Sequence, residues 1–174
     1  MKLKKFFFKK VKSTNNKDLR LVKRGKSNGA ILSETQYDGR GQRGNKWISI
    51  KGNLFMTIFF EIHNKLTLKK ITQLNLLIIK RIIYKITKTY VNVKLPNDIL
   101  INKKKICGIL QEIVFKNNRK FIIIGIGINI ENSPNLINYP TTCLNNYSKK
   151  KYNKIKLFNQ IKLGFEKKIK HFRK

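Results

Sequence analysis

Acidic residues are scarce in this chain. Its 174 residues hold 8 Asp plus Glu against 40 Lys plus Arg, a formal charge of +32. Such a field draws anionic substrates and acidic partners inward, and salt weakens the pull. The cations are not gathered into one stripe. Lys, Asn and Ile recur in strands, helices and turns alike, the pattern that biased codon composition leaves on solvated faces. No specific nucleic-acid partner is therefore expected, although a basic RNA-binding protein is the alternative of a different class. Cysteine is limited to Cys107 and Cys143, which do not form a CxxC pair; both fit small buried residues in a reducing cytosol. His63 and His171 are far apart, lack zinc-ligand spacing and are not expected to do chemistry. Long apolar runs are missing too. The opening "MKLKKFFFKKVKS" has an apolar stretch of only three Phe, too short for a signal peptide. Nothing approaches the roughly 20 apolar residues of a membrane span. The expectation is a cytoplasmic protein that does not contact membranes.

What is present suffices for one globular domain over residues 1–174, with hydrophobic residues at 41% of the chain. Residues 4–12 read as a strand. Ser13 or Thr14 then caps a helix that ends before Gly25. A second strand covers 29–36 and an apolar, buried one covers 53–62. The longest helix spans about 67–90, capped by Thr67. Ile71, Leu74, Ile78, Ile82 and Ile86 recur at spacings of three and four, widened by Leu68, Ile79 and Ile83. Pro96 breaks the chain before a strand near 98–102. Residues 105–115 and 120–130 flank "KNNR" as a hairpin. Residues 131–150 read as loop and 154–172 as an amphipathic helix weakened by Gly164. The expected fold is α+β: a mixed, mainly antiparallel sheet packed with one long and two shorter helices.

The stretch "YDGRGQRGNKW", 37–47, differs from its surroundings. Its three glycines let backbone N–H groups approach a ligand, and Arg40, Arg43 and Lys46 add cationic donors suited to phosphate or carboxylate. Trp47, the chain's single tryptophan, offers a flat face for a base or for packing. The loop is not a P-loop, because G-x-x-x-x-G-K-[ST] is absent; taken alone it also suits an exposed nucleic-acid contact. A loop this long is expected to be mobile when empty and to be ordered by its ligand. "KLPNDILINKKKICGIL", 94–110, adds Asn97 and Asp98 at a proline-fixed turn beside Lys94. Lys105 enters a strand that leads to Gly108, and it also reads as one more lysine of a solvated turn. "GIGIN", 125–129, places two glycines inside a strand, where they often mark the close approach of a ligand.

These segments together resemble a biotin–protein ligase. "STN" at 13–15, "GRGQRGNKW" at 39–47, "KLPND" with "KICGIL" at 94–110, and "GIGIN" at 125–129 occur in that family's order, from about residue 8 to 135. The resemblance implies a class II aminoacyl-tRNA synthetase/biotin ligase-like fold. The implied activity forms biotinyl-5'-AMP from ATP and biotin, with Mg2+, and passes biotin to a lysine of a biotin carboxyl carrier protein. It also implies residue roles. Biotin would be held by Ser13, Thr14, Asn15, Gln36, Gly39, Arg40, Gly41, Gln42, Lys105 and Gly108. ATP would meet Arg40, Arg43, Trp47, Lys94, Asn97, Asp98 and Asn129, with Trp47 stacked on adenine. Arg40, Lys105 and Asp98 would carry the chemistry, and Asp98 is the one candidate for placing Mg2+. Many members have arginine where this chain has Gln42 and Asn45, and a tryptophan at Leu95. An N-terminal helix-turn-helix is not expected. The family's C-terminal β-barrel-like domain is expected to be absent or reduced to the helix at about 152–172. The expected state is a monomer or weak homodimer. A lipoate or octanoate ligase of the same fold is the nearer alternative, set apart by the glycine–arginine loop.

Overall fold

The computed structural model describes residues 1–62, 67–137 and 139–173, except for the side chains of 170–173. His63 and the His171 ring, for which no chemistry was expected, lie outside the described residues. Seven strands are β1 (Lys5–Val11), β2 (Asn28–Gln36), β3 (Leu54–Ile62), β4 (Val91–Lys94), β5 (Asp98–Ile101), β6 (Lys104–Lys116) and β7 (Arg119–Ile128). Three helices are α1 (Thr14–Lys23), α2 (Leu68–Thr87) and α3 (Lys154–Arg173). The strands form one sheet in the order β1-β2-β3-β7-β6-β5-β4. Only β1 and β2 run parallel; every other neighbouring pair is antiparallel. The α+β reading with a mainly antiparallel sheet is what the chain adopts.

Side chains alternate between the two sheet faces, as a pleated strand requires. Ala30, Leu32, Ile58, Phe60, Ile122 and Ile124 join the larger core with Ile71, Ile79 and Ile83 of α2 and Phe158 and Phe165 of α3. Their strand neighbours Ile31, Phe59 and Ile123 pack on the other face with Leu21 and Val22 of α1. So α2 and α3 cover one face, while α1 covers part of the other. The rest of that second face is where the cavity described below opens.

Two expectations about helices change. α3 is as long as α2, 20 residues each, so two helices are long and one is short. α2 ends at Thr87 with Lys88 in the left-handed region, short of the expected end near 90, and β4 follows over residues that had been given no element. Ile71, Ile78, Ile79 and Ile83 of the expected stripe are buried together with Leu76, whereas Leu68 is exposed. Leu74, Ile82 and Ile86 are only half-buried at the edge of the core, so the buried face is turned towards the Ile79–Ile83 side of the expected stripe. Thr67 caps α2 by accepting from the Lys70 N–H at 3.3 Å. Among the described residues, no helix is long and apolar enough to cross a membrane.

One buried group is costly. Asp18 on the inner side of α1 is wholly buried, and neither carboxyl oxygen has a hydrogen-bond partner among the described residues. Burial raises its pKa well above the usual carboxyl value. The native state therefore holds this proton more tightly than the unfolded chain does. Stability is fullest below the unfolded value of about 3.9 and falls as pH rises above it. Asp18→Asn is expected to raise the urea midpoint at pH 7.5, with the gain shrinking towards pH 4. Circular-dichroism melts at both pH values check this; an equal gain at the two would contradict it.

Candidate active site

The cavity is built on register rows that cross the sheet. Asp98 pairs with Gly108, Gly108 with Gly127, Gly127 with Phe55, and Phe55 with Ser33. The next row runs Leu110–Gly125–Thr57–Ile31. Three glycines thus clear a trough on the face that α1 leaves open. Two side chains of this same protein occupy it. A Cβ on Gly127 would stand 2.6 Å from Cζ2 of Trp47, and one on Gly108 2.8 Å from its Cζ3. A Cβ on Gly125 would stand 2.9 Å from Cγ of Asn15. The strand glycines were read as room for a ligand; in the structure it is Trp47 and Asn15 of the protein itself that fill that room. The indole lies on the glycine floor, and its Nε1 is buried without a hydrogen-bond partner among the described residues.

The start of α1 forms one wall. Ser13 is the N-cap residue, yet its hydroxyl does not cap the helix. Gln36 at the end of β2 accepts from the Thr14 N–H at 2.8 Å and from its hydroxyl at 3.1 Å, and donates to Ser49 Oγ at 3.1 Å. Asn15 is fixed on three sides. Its Nδ2 donates to the Leu110 carbonyl at 3.3 Å and to Glu112 Oε2 at 2.7 Å, and its Oδ1 accepts from Thr57 at 2.8 Å. Both N–H bonds of the amide are therefore spent within the protein.

The glycine–arginine loop is a small hairpin. The Trp47 N–H donates to the Gly39 carbonyl at 2.9 Å and the Gly41 N–H to the Asn45 carbonyl at 2.7 Å, with Arg40 and Lys46 bridged between them. Its tip is a single 3-10 turn, Gln42–Gly44, with Arg43 and Gly44 at φ 53° and 77°. Glycine adopts that conformation freely; an arginine there is uncommon. Arg40 reaches back to the sheet. It donates to Asn16 Oδ1 at 2.7 Å and forms an ion pair with Glu112.

The far wall carries a second ion pair. Lys105 Nζ lies 2.8 Å from Asp98 Oδ1, and Asp98 Oδ2 accepts from the Tyr139 hydroxyl at 2.7 Å. Burial, then the hydrogen bond to Asp98 and its charge, push the Tyr139 phenol above its usual pKa, so it remains a donor. Lys105 Nζ stands 5.6 Å from the Trp47 ring centre and 5.3 Å from that of Tyr139. The neighbouring Cys107 thiol is fully buried. Burial and the Asp98 charge raise its pKa against the opposing effect of Lys105, which leaves the thiol protonated and inert. Asn97 is strapped to β6, donating Nδ2 to the Ile109 carbonyl at 3.1 Å. These walls enclose about 220 Å³, lined by Ser13, Gln36, Arg40, Trp47, Asn97 and Lys105 among others.

Residues 7–129 match the biotin/lipoate A/B protein ligase family. The chain belongs to that family. It is 32% identical over 153 residues to the bifunctional ligase/repressor BirA of Bacillus subtilis, covering 82% of this chain and 46% of that protein. Against BirA of Escherichia coli it is 33% identical over 123 residues, covering 69% and 38%. The chain thus spans less than half the length of these curated relatives. The fold superposes on biotin protein ligase from Leishmania major in complex with biotinyl-5-AMP, with a TM-score of 0.80 and 26% identity over 97% of this chain and 79% of that one. It superposes equally on the Aquifex aeolicus enzyme in complex with biotin and ATP, at 0.80 and 27% over 98% and 72%. A lipoate protein ligase from Thermoplasma acidophilum shares the fold at 0.64 and 11% identity, over 98% of this chain and 84% of that chain.

Within this ligase-family fold, most residues expected at the site line one cavity: Ser13, Thr14, Asn15, Gln36, Arg40, Gly41, Gln42, Arg43, Trp47, Asn97, Asp98, Lys105 and Gly108. Three do not. Gly39 lies behind the hairpin, where a Cβ would stand 3.0 Å from Ser49 Oγ. Lys94 turns its Nζ to 4.3 Å from the Tyr139 ring centre. Asn129 is buried and donates to the Thr142 carbonyl at 3.1 Å, bracing residues 142–144 against the sheet rather than facing a nucleotide. Asp98, the candidate for placing Mg2+, pairs with Lys105 through Oδ1 and accepts from Tyr139 through Oδ2. Among the described residues no cluster of three acidic, His or Cys side chains could hold a metal. Glu112, Thr57 and Tyr139 were missed in the sequence. For Glu112 the signal was there: it is one of eight acids, and it lies two residues beyond Leu110, on the same face of β6.

Proposed function

We propose that the chain is an ATP-dependent biotin–protein ligase. One observation carries the reading: a single cavity joins the hydroxyl and amide groups of Ser13, Thr14 and Gln36 to the cations Arg40 and Lys105 across a glycine floor. The neutral end suits the ureido ring, a group that both donates and accepts. The cationic end suits two anions brought together. The biotin carboxylate oxygen attacks the α-phosphorus of ATP, and the bond to pyrophosphate breaks. The amine of a carrier lysine then attacks the acyl carbon of biotinyl-5'-AMP; AMP leaves and the amine gives up a proton.

No enzyme nucleophile is needed. Arg40, Lys105 and loop N–H groups meet the negative charge that grows on the phosphate. Magnesium arrives with the triphosphate and supplies charge neutralisation there; no protein ligand is assigned to it. A volume of about 220 Å³ is below the usual ~300–1,000 Å³ of a ligand site, so the hairpin lifts to admit both substrates and closes to keep water from the adenylate. Cys107 and Cys143, both free, suit the cytoplasm, where a carboxyl carrier protein is the acceptor. Mixing protein, Mg-ATP and biotin should release pyrophosphate and add biotin's mass to a carrier domain. Lipoate in place of biotin should give neither; equal turnover of lipoate would move the reading to a lipoate ligase.

A further inference from the structure

We propose that Glu112 is the positioning residue of this site, setting the Arg40 guanidinium and the Asn15 amide with one carboxylate. The kinetic half of this inference rests on the ligase reading above; the conformational half does not. Glu112 stands on β6, paired in register with Ile123 of β7. Its Oε2 accepts from Asn15 Nδ2 at 2.7 Å and its Oε1 pairs with Arg40. The Asn15 amide cannot turn over, because its Oδ1 is taken by Thr57 and its other N–H by Leu110. Arg40 is the hairpin side chain that bonds directly to the sheet and to α1, through Glu112 and Asn16.

A guanidinium has five N–H donors. Glu112 and Asn16 take one each, which leaves the remaining edge of Arg40 free to meet an anion without breaking the tie. Glu112 thereby converts a mobile cation on a loop into one of fixed direction, at the cost of part of its charge. The pair is half-exposed, with 34% of the Arg40 side chain and 27% of the Glu112 side chain accessible, so its contribution to global stability is small. Its effect is felt in geometry. Glu112→Gln keeps the shape but points an N–H at either Arg40 or Asn15, so one of the two bonds is lost.

Two readouts test this on the full chain. In ligand-free protein, trypsin should cut after Arg43 at least tenfold faster in Glu112→Gln than in wild type, with the thermal midpoint nearly unchanged. Arg40→Ala should open the hairpin from the other side, and it carries this arm alone if the Gln variant does not fold. In pyrophosphate release, Glu112→Gln should lower kcat at least tenfold, and the loss should vanish in an Arg40→Ala background. Glu61→Gln, which breaks the Arg119 pair outside the cavity, should match wild type in both. Unchanged cleavage in Glu112→Gln overturns the tie. Faster cleavage with a normal kcat, or losses that add in the double variant, overturns positioning and leaves Glu112 a structural residue. A wild type that releases no pyrophosphate refutes the ligase reading instead, and the cleavage arm still decides Glu112.

Discussion

Arg40→Ala is expected to slow biotinyl-adenylate formation by about 10²–10³-fold, the usual loss when one preorganised donor to a developing anion is removed. The reason lies in what else could replace it. Lys105 is already paired with Asp98 at 2.8 Å, and Arg43 and Lys46 are exposed on the hairpin. Positions 42 and 45 hold the uncharged Gln42 and Asn45, so the other loop cations are Arg43 and Lys46, which border the cavity but stand more exposed than Arg40. The substitution removes a half-exposed side chain, and the core is untouched, so far-UV circular dichroism and the thermal midpoint should match wild type. Single-turnover pyrophosphate release measures the effect. A rate within threefold of wild type in a folded variant would remove Arg40 from the chemistry.

Gly127→Ala should act at the floor. Its new methyl would lie 2.6 Å from Cζ2 and 3.0 Å from Cδ2 of Trp47. The backbone cannot give way, because β7 is held on one side by β3 and on the other by β6 at this very residue. The rigid indole must lift instead and carry the hairpin base with it, since the Trp47 N–H is bonded to Gly39. Overpacking of this kind costs about 1–3 kcal/mol. A displacement on the order of 1 Å costs about 10² in rate. Because Trp47 is the chain's single tryptophan, its fluorescence reports the event directly. The emission maximum should move to longer wavelength and the adenylate rate should fall about 10²-fold. An unshifted spectrum with normal turnover would show that the floor has slack.

Sequence and structure agree most closely where local chemistry is strong. Alternating apolar strands, the Thr67 cap and the "KNNR" hairpin turn, with Asn117 and Asn118 both at positive φ, are local signals and fall where they were read. β4 was not read at all, because "VNVK" is short and only weakly apolar, and its pairing with β5 is a tertiary fact. The site was legible as segments but not as bonds. Nothing in "STN" says that Asn15 spends both donors on β6, or that the glycines of "GIGIN" make room for Asn15 and Trp47. Asn129 was misread for the same reason: its partner Thr142 comes from a stretch of polar loop whose path depends on the whole fold. Of the two carboxylates that hold the site's cations, Asp98 lies 7 residues from Lys105, but Glu112 lies 72 residues from Arg40, and only register brings that pair together.

The route through a mixed anhydride can be read by isotope. Biotin labelled with ¹⁸O in both carboxyl oxygens, turned over with Mg-ATP and hydroxylamine as the amine acceptor, should yield AMP carrying one ¹⁸O, because the attacking oxygen stays on phosphorus when the acyl carbon is taken. AMP free of label, or no AMP at all, would contradict the account.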